Sequence, residues 1–176
     1  IILSFVRNAL GVQQVPPSMV MVGISLFLTL FIMDPVISEI NTTAFEPYRE
    51  EQITQEEALE RAQVPLKEFM LRQTEISSVD MYMDLAGTEA VEELTDLPLT
   101  VVVPAFMTSE LKRAFMAGFL LFLPFLLIDI IVSTTLMSMG MFMLPPATIS
   151  LPFKLLLFVT VDGWQLLFST LVQSFR

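Results

Sequence analysis

Apolar residues in this chain gather in long uncharged runs toward both ends and adopt a helical period only in the middle. Residues 19–33 carry no charge, and Ser18, directly after Pro16 and Pro17, is placed to cap a helix over them. Those fifteen residues make ~22 Å of α-helix, short of the roughly 20 residues a spanning helix needs. Residues 1–15 read as the tail of another helix, and because the chain opens on Ile1 it reads as a fragment or a processed product. In the middle, Thr54 and Glu57 form a capping box ahead of Ala58, and Glu57 faces Arg61 one turn on. Pro65 suits the first turn of a following helix over residues 66–75, where Glu68 and Arg72 repeat the pairing. Leu66, Phe69, Met70 and Gln73 share one face of that helix, which predicts that the face is buried. Thr88 is placed to cap a further short helix over residues 89–95.

The second apolar end begins at Pro104. Ser109 predicts a helix starting at Glu110, and residues 114–136 hold a single charge, Asp129. Residues 110–139 would span ~45 Å if straight, more than a hydrocarbon core of ~30 Å, and Pro124 offers a kink. Ser150 predicts another helix over residues 151–172 with Pro152 in its first turn. Between these runs stands MSMGMFMLPP (residues 137–146), with methionine at every second position from Met137 to Met143. A step of two residues turns a helical side chain by about 200°, so one helix face cannot carry Met137, Met139, Met141 and Met143 together. Extended or looped backbone would point them one way. Gly140 loosens a helix and Pro146 drives Pro145 out of the α region, so a loop is expected from about Gly140 onward. Thioether side chains are apolar and deformable. A ring of such loops, one per subunit, would make a soft seal; the plainer reading is that the methionines fill gaps in a membrane core.

Composition narrows the class. Of 176 residues, 54% are apolar and 16% charged, too oily for a typical soluble domain. The chain has no Cys and no His, which removes thiol nucleophiles, imidazole bases and most transition-metal sites. No G-x-S-x-G, P-loop or G-x-G-x-x-G occurs, so neither an enzyme nor a cofactor or metal site is expected. Residues 34–110 hold seventeen acidic side chains against four basic ones. The chain therefore divides into an apolar N-terminal region (1–40), an acidic middle of short helices (41–103) and an apolar C-terminal region (104–176). Glu92 and Glu93 read as a solvated helix face rather than a metal or acid–base site. A net charge of −10 argues against nucleic acid and against anionic lipid heads as partners.

Three charges lie inside the C-terminal apolar runs. A charge on a lipid-facing helix centre costs at least ~2.5–3.5 kcal/mol on insertion scales. Lys154 and Asp162 are eight residues apart, too far to touch along a helix, which leaves Asp129 with Lys154 as the pair to expect. An ion pair fixing helix register, a proton-relay carboxylate and a salt bridge to a neighbouring protein all remain open. Orientation rules conflict: Lys112 and Arg113 beside the acidic middle pull one way, Arg7 and Arg176 the other. The expectation is an integral membrane protein whose helices bury much of their apolar surface against other protein.

Several stretches resemble the FliP family of flagellar biosynthesis proteins: PAFMTSELKRAFMAGF (residues 104–119), PFLLID (124–129), the methionine stretch, ATISLPFK (147–154) and VDGWQLL (161–167). RNALG (7–11) and QVPP (14–17) are similar to the family's N-terminal part. The resemblance spans nearly the whole chain except about residues 41–97. It implies an all-α fold of integral membrane helical hairpins with kinked long helices, assembling into a helical multi-subunit cone. Five copies would join small and larger membrane subunits of the FliQ and FliR families in the flagellar basal body at the bacterial inner membrane, with the acidic middle periplasmic. The assembly would be the type III export gate, passing unfolded flagellar proteins, with a partner ATPase and the proton-motive force supplying energy. Met137, Met139, Met141, Phe142 and Met143 would then form a gasket that closes the channel. Many family members carry three methionines after the glycine, whereas this chain has Met141, Phe142 and Met143. Glu110, Asp129 and Lys154 match the family's charged positions and, with Asp162, make up an expected structural charge network. A scaffold that nucleates the rod and export complex without gating is the rival reading; a transporter built on broken-helix repeats finds no internal repeat here.

Overall fold

The computed structural model describes residues 1–12, 14–88, 91 and 93–175, which form helices and connecting turns with no strand among them. The helices are α1 (Ile2–Leu10), α2 (Ser18–Ile40), α3 (Glu46–Arg49), α4 (Gln55–Gln73), α5 (Ile76–Ala86), α6 (Leu99–Ser138), α7 (Pro146–Thr160) and α8 (Gly163–Ser174). A π-helical turn, Asn41–Phe45, joins α2 to α3, so helical backbone runs from Ser18 to Arg49 over 32 residues. That stretch and the 40 residues of α6 are each long and apolar enough to cross a membrane, and α7 with α8 adds a third candidate, bent by 57°. The chain is an all-α membrane protein.

Prolines end fewer helices than their local signal predicts. Helix α2 continues through Pro35 instead of stopping at Met33, α4 through Pro65, α6 through Pro104 and Pro124, and α7 through Pro152. A proline inside a helix costs about 3 kcal/mol through a lost hydrogen bond and a clash with the turn before it. Leaving the helix in an apolar setting exposes more backbone groups than the proline does, so continuation prevails there. In α4 the proline is itself buried, together with Ala58, Phe69 and Met70. The helix expected to begin at Pro65 is therefore the second half of α4. Helix α6 begins at Leu99, not Glu110, and at ~60 Å by the α-helical rise it is twice a hydrocarbon core in length.

Three expected caps serve other purposes. Ser18 is the first residue of α2, and its hydroxyl accepts from Arg7 Nη1 at 3.1 Å. Ser109 is fully buried inside α6 and accepts the Glu75 backbone N–H at 3.0 Å. Ser150 is fully buried inside α7, which starts at Pro146. Thr54 does cap α4, accepting from the Glu57 N–H at 3.2 Å, and Glu57 pairs with Arg61 at 2.7 Å. Glu68 and Arg72 are not among the ion pairs of the described residues. Thr88 closes α5 rather than opening a helix: its N–H reaches the Met83 carbonyl, and the Gly87 N–H reaches Asp84. This is a Schellman end with Gly87 in the left-handed region. Glu89, Ala90 and Glu92 of the expected helix over 89–95 lie outside the described residues, as does Arg176.

Contacts divide the chain into two compact units. One comprises residues 29–113. In it Phe69 packs at 6.2 Å from Phe106, while Val79, Leu97, Val101, Val102 and Ala105 are buried. The buried side of α4 falls on Phe69 and Met70, with Leu66 and Gln73 half-buried beside them. Helix α5 is tied to α6 by Tyr82 and Thr108 at 3.0 Å, and the residue before α5, Glu75, by Lys112 at 2.6 Å. The other unit comprises residues 1–28 and 114–176. Its core holds Leu3, Val6, Ala9, Leu10, Met21, Phe125, Phe158 and Leu167. Phe158 stands edge-on to Trp164 at 5.2 Å, and Phe5 covers Gly118 so closely that a β-carbon there would lie 2.5 Å from its ring.

Candidate functional site

The methionine stretch begins as helix and ends as loop. Helix α6 runs to Ser138, so Met137 stands in its last turn and Met139 in the turn that follows. The Met141 N–H donates to the Leu136 carbonyl and the Gly140 N–H to Met137, each at 3.0 Å. This is a second Schellman end, with Gly140 at φ +74°, a backbone that glycine adopts without a β-carbon penalty. The loop therefore starts where the sequence predicts it. The four thioethers are therefore divided between the end of a helix and the loop, with Met137 held in the last turn of α6 by the hydrogen bonds that close it. Residues 141–145 then cross to Pro145, which leads into α7. Among the described residues the tip of this crossing is left uncovered: Phe142 is 80% exposed and Met143 98%.

Below the loop, α6 and α7 are joined by a polar clasp. Lys154 Nζ donates to Asp129 Oδ2 and Ser150 Oγ to Asp129 Oδ1, each at 2.6 Å. Ser150 and Lys154 stand one helical turn apart on α7 and so reach the two oxygens of one carboxylate. Lys154 is 5% exposed. Its ammonium also lies against the end of α1, where a β-carbon on Gly11 would come within 4.0 Å of Nζ. Gly11 caps α1 at φ +76°, and the negative end of a helix dipole favours a cation there. Charge near Lys154 thus comes from α6 and from α1 together. Sequence reasoning missed Ser150 and Gly11; the four-residue step from Ser150 to Lys154 was the signal for the first.

The remaining charged candidates stand elsewhere. Glu110 pairs with Arg113 of its own helix at 3.3 Å. Asp162 sits at φ +50° in the bend between α7 and α8, and its side chain makes no ion pair among the described residues. Of these candidates, Asp129 and Lys154 are brought into an ion pair with each other. Among the described residues no three His, Cys, Asp or Glu side chains gather closely enough to hold a metal ion.

Beside the clasp, toward the loop, an apolar groove of about 420 Å³ opens between α6 and α7. Ile128, Ile131 and Val132 line one side, Ile149 and Phe153 the other. The hairpin thus presents an uncovered apolar tip, an apolar groove beneath it and one buried polar lock.

The sequence model of the FliP family matches residues 1–171. The chain belongs to the FliP family. It is 53% identical over 175 residues to the flagellar biosynthetic protein FliP of Bacillus subtilis strain 168, covering 99% of this chain and 79% of that protein. To the flagellar biosynthetic protein FliP of Pectobacterium carotovorum it is 51% identical over 175 residues, covering 99% of this chain and 68% of that one. The flagellar biosynthetic protein FliP of Aquifex aeolicus is 46% identical over 178 residues, with 100% and 74% covered. The matched region of this FliP-family chain contains the whole hairpin, the clasp and the loop between them.

Proposed function

We propose that this chain is a core subunit of the flagellar type III protein export gate, with the loop after α6 as part of the seal. The observation that carries the proposal is an apolar loop left uncovered by its own chain while its supporting hairpin is locked. Phe142 and Met143 are among the most exposed apolar side chains of the protein, so they are available to meet other copies. Family membership and the relatives' role in flagellar biosynthesis supply the context.

In this reading five copies combine with FliQ-family and FliR-family subunits at the bacterial inner membrane, and the acidic middle of the chain is periplasmic. The apolar middle of the channel is closed by loops from all copies. Unbranched thioethers collapse together when nothing is in transit and move aside for an unfolded chain, because their rotamers interconvert at little cost. Phe142 adds a stiffer ring. No chemical step is assigned to the chain; its part is to exclude water and ions and to yield to polypeptide.

Met141→Ala combined with Met143→Ala removes most of the deformable apolar volume. Cells carrying this gate should become permeable to small solutes that the parent gate excludes, while the complex still assembles. Unchanged impermeability in an assembled complex would count against the seal.

A further inference from the structure

With no cysteine in the chain, its 12 methionines hold all of its sulfur. Four of them stand within residues 137–143, and the others occur singly or in pairs. Met137, Met139, Met141 and Met143 are all exposed, whereas Met21 and Met70 are buried. From Met139 to Ala147 no side chain carries an N–H or O–H. The hydroxyls just before that stretch are engaged, Thr135 with the Ile131 carbonyl at 2.8 Å and Ser138 with the Thr134 carbonyl at 2.7 Å. The Gly140 and Met141 N–H groups are spent on closing α6. The loop is thus dense in oxidisable sulfur and poor in donors for a new polar group.

We infer that this loop is an oxidation site: a two-electron oxidant such as hydrogen peroxide converts its methionines to sulfoxides and lets water into the seal. This rests on the seal proposed above and names the modification that regulates it. The sulfur lone pair attacks one oxygen of the peroxide and the O–O bond breaks. The hydroxide that leaves takes the proton from the transferred oxygen and departs as water. Sulfur is oxidised by two electrons and the peroxide is reduced by them. Each product side chain is polar and chiral where a flexible apolar one stood. Its oxygen needs a hydrogen-bond donor. The neighbouring side chains offer none, so it recruits water, which a closed seal excludes. Phe142 has no sulfur and stays apolar, so oxidation loosens the seal without abolishing it. A sulfoxide reductase reverses the change, its thiols passing to a disulfide as the oxygen leaves in water.

The test uses the chain in complex with its co-expressed partner subunits, in vesicles loaded with a small fluorescent solute and treated with dilute hydrogen peroxide. Peptide masses should show one added oxygen on Met139, Met141 and Met143 before Met21 and Met70. Solute release should rise severalfold and fall back after treatment with methionine sulfoxide reductases. A variant carrying Met137→Leu, Met139→Leu, Met141→Leu and Met143→Leu keeps apolar bulk without sulfur, and peroxide should not change its release from its own untreated rate. An undiminished peroxide response in that variant would overturn the inference, because the sensitive sulfur would then lie elsewhere in the complex. So would loop methionines that oxidise no sooner than the buried ones, or that oxidise fully in an intact complex with release unchanged. The untreated Met141→Ala, Met143→Ala variant separates the two claims. Release through it keeps the gate standing where peroxide fails; no release through it removes the gate reading and the inference together.

Discussion

Asp129, Ser150 and Lys154 show how few residues are needed to fix a hairpin. Lys154 is nearly enclosed, and the carboxylate 2.6 Å away offsets the cost of burying its ammonium. Removing one partner of a buried pair strands the other, whereas replacing both with apolar groups is often tolerated. Asp129→Ala should therefore destabilise the detergent-extracted complex by about 3 kcal/mol, the low end of the range for buried pairs, because the Asp129 side chain is 32% exposed. Adding Lys154→Met should restore most of the lost melting temperature. A double variant less stable than Asp129→Ala alone would show that the clasp does not act as a pair. The pairing itself is legible in the sequence, because Asp129 is the lone charge in its run and Lys154 the nearest opposite charge in the next. Ser150 is not, because a serine ahead of an apolar run carries the same signal whether it caps a helix or crosses to a neighbour.

At the scale of elements, the same ambiguity moved several boundaries. Ser109 before Glu110, Pro65 before Leu66 and Ser150 before Leu151 all carry start signals, yet each lies inside a helix. Caps and prolines contribute one to three kcal/mol in rough terms, and the backbone hydrogen bonds kept by continuing the helix outweigh them. Starts and stops lacking such competition were legible: Thr54 before α4, and Gly140 where α6 gives way to loop. The buried hydroxyl of Ser109 has its own measurable consequence. Ser109→Ala leaves the Glu75 N–H without its acceptor, a loss of about 1–3 kcal/mol for an unsatisfied buried donor. Amide exchange at Glu75 and in the first turn of α5 should speed up in that variant. Thr54→Ala should cost about 1 kcal/mol and speed exchange only at the start of α4. Exchange rates unchanged at both sites would mean that neither hydroxyl holds its helix.

For the whole molecule, conflicting orientation signals and runs of mismatched length point to helices that need partners. Two features of the folded chain agree with that: an exposed apolar tip, and a 40-residue α6 far longer than a hydrocarbon core. Membership of the FliP family was legible from contiguous motifs spanning α1, α6, α7 and α8, because so many residue types recur in order there. The acidic middle carries little of that pattern, and its folding rests on packing between α4, α5 and α6 that local signals do not encode. How the chain assembles is encoded in surfaces rather than motifs. The measurement that bears most directly on the proposed gate is the native mass of the detergent-extracted chain co-expressed with its FliQ-family and FliR-family partners. A mixed complex containing five copies is predicted, bringing five methionine loops to one axis. A free monomer or a simple dimer would contradict the gate and return the methionines to core packing.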